Sequence, residues 1–164
     1  MNKQAIIILT AVIIIGAGFF LFKGQTPSTE LKQSNKQDSR FGIGQKVTLY
    51  KSPTCGCCVG YAKELEKQGF EVEVISTENI NTIKEKYGIS QDKQSCHTIT
   101  FGNYFIEGHV PMEAVKKLLT EKPDIDGIGL PRMPSGTPGM PGPKRGPYEV
   151  YQSVDGVFSQ FLTI

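Results

Sequence analysis

The chain opens with an uncharged apolar run of 18 residues, Ala5 to Phe22, bounded by Lys3 and Lys23. That is about the shortest stretch that crosses a bilayer as a helix, and it lacks the polar face that a core helix turns to water. It predicts an N-terminal membrane anchor or signal segment over residues 1–23. Gly16-Ala17-Gly18 offers small residues for cleavage, but Phe19, Phe20, Leu21 and Phe22 continue the run past them, so an uncleaved anchor is the expectation. Lysines stand on both sides, and the charge rule leaves the orientation open. Residues 24–45 reverse the pattern. They are rich in Gln, Ser, Lys, Asn and Thr and cannot bury enough apolar surface to offset the entropy of ordering. They read as a flexible polar linker.

From residue 46 the periodicities of folded structure begin. Val47, Leu49 and Tyr50 make a short strand ending at Ser52-Pro53. Val59, Ala62 and Leu65 recur at helical spacing, with Gly69 placed as the C-terminal cap. Phe70 to Ile75 alternates apolar residues with glutamate, as a strand with one buried face does. Ile80, Ile83 and Tyr87 mark a second helix stopped at Gly88. Thr98 to Phe101 and Tyr104 to Glu107 flank a Gly102-Asn103 turn and predict a hairpin. Pro111 then opens a third helix carrying Met112, Val115, Leu118 and Leu119, which ends before Pro123. Gly127 to Pro143 is dense in Gly and Pro without the triplet period of collagen, so it predicts an ordered or semi-ordered loop. Tyr148 to Val154 and Val157 to Ile164, joined by Asp155-Gly156, close the chain as a β-hairpin. The expectation is one α/β domain over residues 46–164, in the order β-α-β-α-β-β-α, followed by the Pro/Gly loop and the hairpin.

Composition narrows the function. With 18 Lys and Arg against 16 Asp and Glu the formal charge is +2, and no basic run interleaved with aromatics would track a phosphate backbone, so nucleic acid is not an expected partner. The four cysteines are too few and too clustered for a disulfide framework. Three of them fall within four residues, Cys55-Gly56-Cys57-Cys58, and the fourth, Cys96, stands beside His97. Cys55 and Cys58 form a C-x-x-C pair of the kind that opens a helix in thioredoxin-like redox proteins. Disulfide exchange needs only two thiols, so Cys57 points to metal. The N-terminus of the following helix favours thiolate over thiol, and four thiolates with an imidazole make a soft site suited to Cu(I), Zn(II) or an iron–sulfur cluster. Three sulfurs from four consecutive residues are cramped for one tetrahedral zinc, and the spacings differ from the common ferredoxin patterns. Adjacent thiolates that each bridge two soft ions favour multinuclear copper.

Other candidates are weighed beside the thiols. Met133 and Met140 lie where no periodicity demands an apolar side chain; they are either thioether ligands for Cu(I) or loop residues folded onto the domain. Met112 shares the spacing of Val115 and Leu119 and reads as core. His109 is a ligand or an end-of-strand hydrogen bonder. His97 adjoins Cys96, but consecutive residues of an extended segment point to opposite sides, so direct ligation and a supporting role both remain open.

The element order, with a cysteine motif at the first strand-to-helix junction, resembles the thioredoxin-like fold. In that fold the loop entering the third strand lies beside the first helix, which implies that Cys96 faces the other thiols; a buried small hydrophobe is the alternative. The segments Ser52-Pro53-Thr54-Cys55-Gly56-Cys57-Cys58, Ser95-Cys96-His97-Thr98, Ile106-Glu107-Gly108-His109-Val110-Pro111 and Met133-Pro134-Ser135-Gly136-Thr137-Pro138-Gly139-Met140, in that order, resemble the CopG-type family of bacterial copper-resistance proteins. The resemblance covers about residues 46 to 160. It implies a periplasmic or cell-surface protein that binds several copper ions through its cysteines and cycles them between Cu(I) and Cu(II), with copper-efflux or copper-chaperone proteins as partners. Tyr61 and Glu64 stand where the family usually has a tryptophan and then a histidine, and Arg132 where a glycine is usual before the Met-Pro pair. A copper role for that histidine therefore does not carry over. The rival expectation is a membrane-tethered thiol-disulfide oxidoreductase, with Cys55 attacking and Cys58 resolving. A metallochaperone that delivers copper without changing its oxidation state is a third.

Overall fold

The computed structural model describes residues 39–164; the predicted anchor and most of the predicted linker lie outside the described residues. Among the described residues no helix is long and apolar enough to cross a membrane. Strand β1 (Lys46–Lys51) leads through Ser52-Pro53 into helix α1 (Gly56–Lys67), then β2 (Glu71–Ser76) and α2 (Ile80–Lys86). A 3-10 turn (Gln91–Lys93) precedes β3 (His97–Phe101), β4 (Tyr104–Glu107), α3 (Met112–Glu121), β5 (Gly127–Gly129), β6 (Glu149–Val154) and β7 (Val157–Thr163). The predicted β-α-β-α-β-β-α order is present. All seven strands join one sheet in the order β2-β1-β3-β4-β5-β6-β7. The pairs β1–β2 and β4–β5 are parallel and the others antiparallel. The terminal hairpin is therefore an extension of the main sheet. Its turn residues Asp155 and Gly156 both take positive φ, 51° and 75°, the two-residue geometry that matches strand twist.

Side-chain alternation divides the sheet into two faces. Val47, Leu49, Ile99, Ile106, Ile128 and Val150 pack against Tyr61 and Leu65 of α1 and against Ala114, Val115 and Leu118 of α3. Phe105, Tyr151 and Ile89 form a smaller cluster with Tyr87 and Phe158. Phe105 neighbours Ile106 on one strand, so this cluster covers the opposite face.

Four details depart from the pattern. Val59 is exposed; the buried stripe of α1 is Cys58, Tyr61, Ala62 and Leu65, because the cysteine itself fills the core position. Strand β2 is the sheet's edge, and its face is only half covered, with Val74 exposed. Within α2 the fully buried residue is Lys84, while Ile83 is half-buried. Residues Gly127 to Gly129, expected as the start of a loop, form a strand. Two glycines have low strand propensity, but a Cβ at Gly127 would run into Phe105 and one at Gly129 into the Tyr151 ring. The small residues allow these side chains to cross the strand.

Lys84 marks the most consequential polar contact. Its ammonium pairs with Glu107, with side chains 3% and 0% exposed, and donates to Thr98 Oγ1 at 3.1 Å. The Glu107 carboxylate accepts the Ser95 N–H at 2.6 Å and the Thr98 hydroxyl at 2.6 Å. One carboxylate therefore grips the chain on both sides of Cys96-His97. Removing one partner of a buried pair leaves the other charge uncompensated, so Lys84→Met and Glu107→Gln are each expected to lose about 3–5 kcal/mol in urea unfolding. The double variant should lose clearly less than the sum. Strict additivity would show that the two groups do not sense each other.

Candidate metal centre

Cys55 is the N-cap of α1, at φ −75° and ψ 97°, and Cys57 and Cys58 occupy the helix's first turn. Ahead of them, Lys51 is buried and donates to the carbonyls of Ser52 at 2.9 Å and Pro53 at 3.3 Å, fixing the approach to the helix. One helical turn brings Cys55 and Cys58 to a Cα separation of 5.6 Å, and the two are joined by a disulfide. Cys57 and Cys96 are free thiols. Cys57 Sγ lies 3.5 Å from Cys55 Sγ and 3.9 Å from Cys96 Sγ, and Cys58 Sγ lies 3.6 Å from Cys96 Sγ. The loop entering β3 thus meets the first turn of α1, and all four sulfurs lie within 4.8 Å of one another.

Both histidines join them. His109 Nδ1 donates to the Pro138 carbonyl at 2.7 Å. A carbonyl accepts only, so the neutral ring keeps its lone pair on Nε2, which faces Cys96 Sγ at 3.2 Å. His97 Nδ1 is 3.4 Å from the same sulfur. Because β3 turns alternate residues to opposite faces, His97 points toward α1 while Thr98 points to Lys84. The His97 ring lies tilted against Tyr61 and edge-to-face with His109, with centroids 4.8 Å away in each case. Tyr61 spends its hydroxyl on the Val110 carbonyl at 2.7 Å, so it walls the site without offering a donor to it. Among the described residues, His97 Nε2 is the one buried side-chain nitrogen or oxygen without a hydrogen-bond partner.

Burial controls protonation here. It pushes the Cys96 thiol up to about 12, reinforced by the neighbouring Cys57. It holds His97 well below the usual imidazole range, helped by His109 and Lys84, and it lowers His109 against the opposing pull of Pro138. The metal-free site therefore contains a protonated thiol at Cys96 and two neutral imidazoles with lone pairs available.

Of the residues singled out from sequence, the fold gathers Cys55, Cys57, Cys58, Cys96, His97 and His109. Met133 is 49% exposed and lines a groove of about 970 Å³ with Arg132, Arg145 and Tyr148. Met140 is half-buried and follows Gly139, whose backbone lies against Gly60 and Tyr61 so closely that a Cβ on Gly139 would sit 2.5 Å from the Tyr61 nitrogen. The Pro/Gly segment is thereby folded onto α1 beside the thiols. Met112 packs against the core as expected. Sequence reasoning missed Lys84, Lys51 and the Pro138 carbonyl. A helix lysine carries no mark of burial, and a backbone carbonyl carries none of its contacts.

A family described as a protein of unknown function, DUF411, matches residues 93–140, the stretch from just before Cys96 to Met140. Two solved structures of copper resistance protein CopG, Form 1 and Form 2, are each 32% identical to the chain and cover 73% of it, with TM-scores of 0.67 and 0.68. The chain spans 97% and 98% of those two proteins. No curated protein sequence matches it.

The buried histidines give a pH test. Their folded-state values lie below the unfolded value of about 6.5, so above that pH both states are neutral and the rings contribute nothing. Below it the unfolded chain binds protons that the folded chain refuses, and stability falls with pH by up to about 1.4 kcal/mol per pH unit for each ring. The urea midpoint of the metal-free protein should drop between pH 7 and 5. A midpoint that stayed level would show that the rings accept protons in place.

Proposed function

The chain belongs to the family of copper resistance protein CopG, and on that premise we propose that it is an extracytoplasmic copper-binding protein of copper resistance and homeostasis. The observation that carries the reading is the convergence of four cysteine sulfurs and two imidazoles around Cys96. Thiolate and imidazole donors fit copper by softness, and Cu(I) best of its states. With the disulfide opened, Cys55, Cys57, Cys58 and Cys96 supply four bridging sulfurs, which favours several Cu(I) ions over one. His97 and His109 complete the ligand set, and Met133 and Met140 offer thioethers for loading Cu(I) from the surface.

Cycling between Cu(I) and Cu(II) has its electron balance in the same residues. Closing the Cys55–Cys58 bond from two thiols releases two electrons, enough to convert two Cu(II) ions to Cu(I), and two protons to solvent; opening it takes both pairs back. The apolar run Ala5 to Phe22 supplies a membrane anchor, residues 24–45 a tether, and the domain sits on the outer side of the membrane, where copper-efflux or copper-chaperone proteins give or take the ion.

One observation favours a second reading. The Cys55–Cys58 disulfide at the start of α1 is the arrangement of a thiol-disulfide oxidoreductase, whose first thiolate the helix N-terminus stabilises.

Metal analysis after reducing, anaerobic purification separates the two. More than one copper per chain is expected, and metal-free protein with insulin-reductase activity would favour the oxidoreductase. Cys57→Ala and Cys96→Ser should each lower copper stoichiometry, whereas an oxidoreductase would keep most of its turnover after Cys57→Ala. Changing Met133 and Met140 together to Leu keeps volume and removes the thioethers. Slower Cu(I) loading with the fold intact is the expected result; unchanged loading would return both methionines to packing.

A further inference from the structure

Closing the Cys55–Cys58 bond removes two of the four thiols from metal chemistry and leaves Cys57 and Cys96 free. Cys96 is then still flanked by two ring nitrogens, His109 Nε2 at 3.2 Å and His97 Nδ1 at 3.4 Å. Cys96, His97 and His109 form a donor group of their own, with ligand atoms all within 4.8 Å of one another. We propose that Cys96, His97 and His109 are a one-ion site that works while the disulfide is closed and takes a single soft monovalent cation. The chain then holds one ion when oxidised and several when reduced, the second half of which rests on the copper reading above.

Two independent observations converge on this set. Metal–sulfur and metal–nitrogen bonds of about 2.3 and 2.0 Å, meeting near the tetrahedral angle, place the sulfur and nitrogen about 3.5 Å apart. The spacings found fall a few tenths of an ångström short of that, so an ion enters with a small outward shift of two side chains. His109 is already oriented as a ligand, because its Nδ1–H is held by Pro138 at 2.7 Å, the outer contact that fixes a metal-binding imidazole's tautomer.

Charge selects the ion. The Cys96 proton leaves for solvent as the metal arrives, giving one thiolate and two neutral imidazoles. A monovalent ion makes the buried group neutral, whereas a divalent ion leaves a net positive charge buried with it, the nearby Glu107 carboxylate being already paired with Lys84. Cys57 belongs to the four-sulfur group but not to this one, so the site does not need it.

Silver(I), a redox-silent stand-in for Cu(I), tests this by native mass spectrometry, which counts bound ions and reads the closed disulfide from the missing two hydrogens in the same spectrum. The disulfide-closed protein is expected to carry one silver. A Cys55→Ser/Cys58→Ser variant, which can form neither the bond nor the full sulfur cluster, should carry one as well. Adding Cys96→Ser should abolish it in both, and His109→Ala should weaken it at least about 10-fold in chelator competition. Absence of silver from the closed form and from the double-serine variant, or its survival after Cys96→Ser, would overturn the site. Several Cu(I) ions on reduced protein with none on the closed form would sink this inference and leave the copper reading standing. One ion in both redox states would keep this site and sink the multinuclear reading.

Discussion

The candidate metal centre depends on one buried carboxylate. Glu107 receives the Ser95 amide, the Thr98 hydroxyl and the Lys84 ammonium, so the Cys96-His97 dipeptide is held at both ends by a group that no water reaches. A carboxylate in such a place is tolerable only when it is hydrogen-bonded and its charge is matched, and here three donors meet it, one of them the ammonium. The short helix α2, whose fully buried residue is Lys84, serves chiefly to bring that charge to the far face of the sheet. The clamp fixes the backbone on either side of Cys96, whose sulfur lies within a few tenths of an ångström of the spacing that two donors sharing one ion would take.

The C-terminal segment closes the centre from the other side. Proline and glycine are usually read as breakers, yet here they permit contact. Gly139 and Gly60 allow two backbones to meet where side chains would hold them apart, and the carbonyl of Pro138 is thereby delivered to His109. The segment is anchored upstream by β5 and downstream by β6, which extend the main sheet. Tyr148 adds a hydroxyl bond to the Ser135 carbonyl at 2.7 Å. Backbone packing, with no change in side-chain chemistry, is what turns His109 from a strand-end residue into a donor facing sulfur.

The same small volume holds two chemistries that compete for the same atoms. The N-terminus of α1 favours thiolate at the cysteines it carries, which serves disulfide exchange and metal binding alike. Burial acts oppositely on Cys96 and favours its protonated thiol. On the proposed reading the disulfide and a metal are alternative ways of satisfying one group of sulfurs, and Cys96 lies outside the disulfide but inside both candidate donor groups.

Local features of the chain were legible because their causes are local. The alternation of β3 and β4, the Asp155-Gly156 turn, Gly69 and Gly88 after their helices, and the C-G-C-C run all depend on neighbours a few residues away. The element order followed from them, and the resemblance of that order to the thioredoxin-like fold implied that Cys96 meets the helix. Long-range packing decided the remainder. Nothing near Lys84 in sequence distinguishes it from the exposed lysines around it; its burial depends on Glu107, 23 positions away. Gly127 to Gly129 became a strand because Phe105 and Tyr151, brought alongside by other strands, leave space only for glycine. The register of α1 turned from Val59 to Cys58 because the sulfur itself fills the inward position against the core. Residue types along the chain determined which donors exist, and the sheet, by holding β3, β4 and the Pro/Gly segment to fixed neighbours, decided which of them share a point.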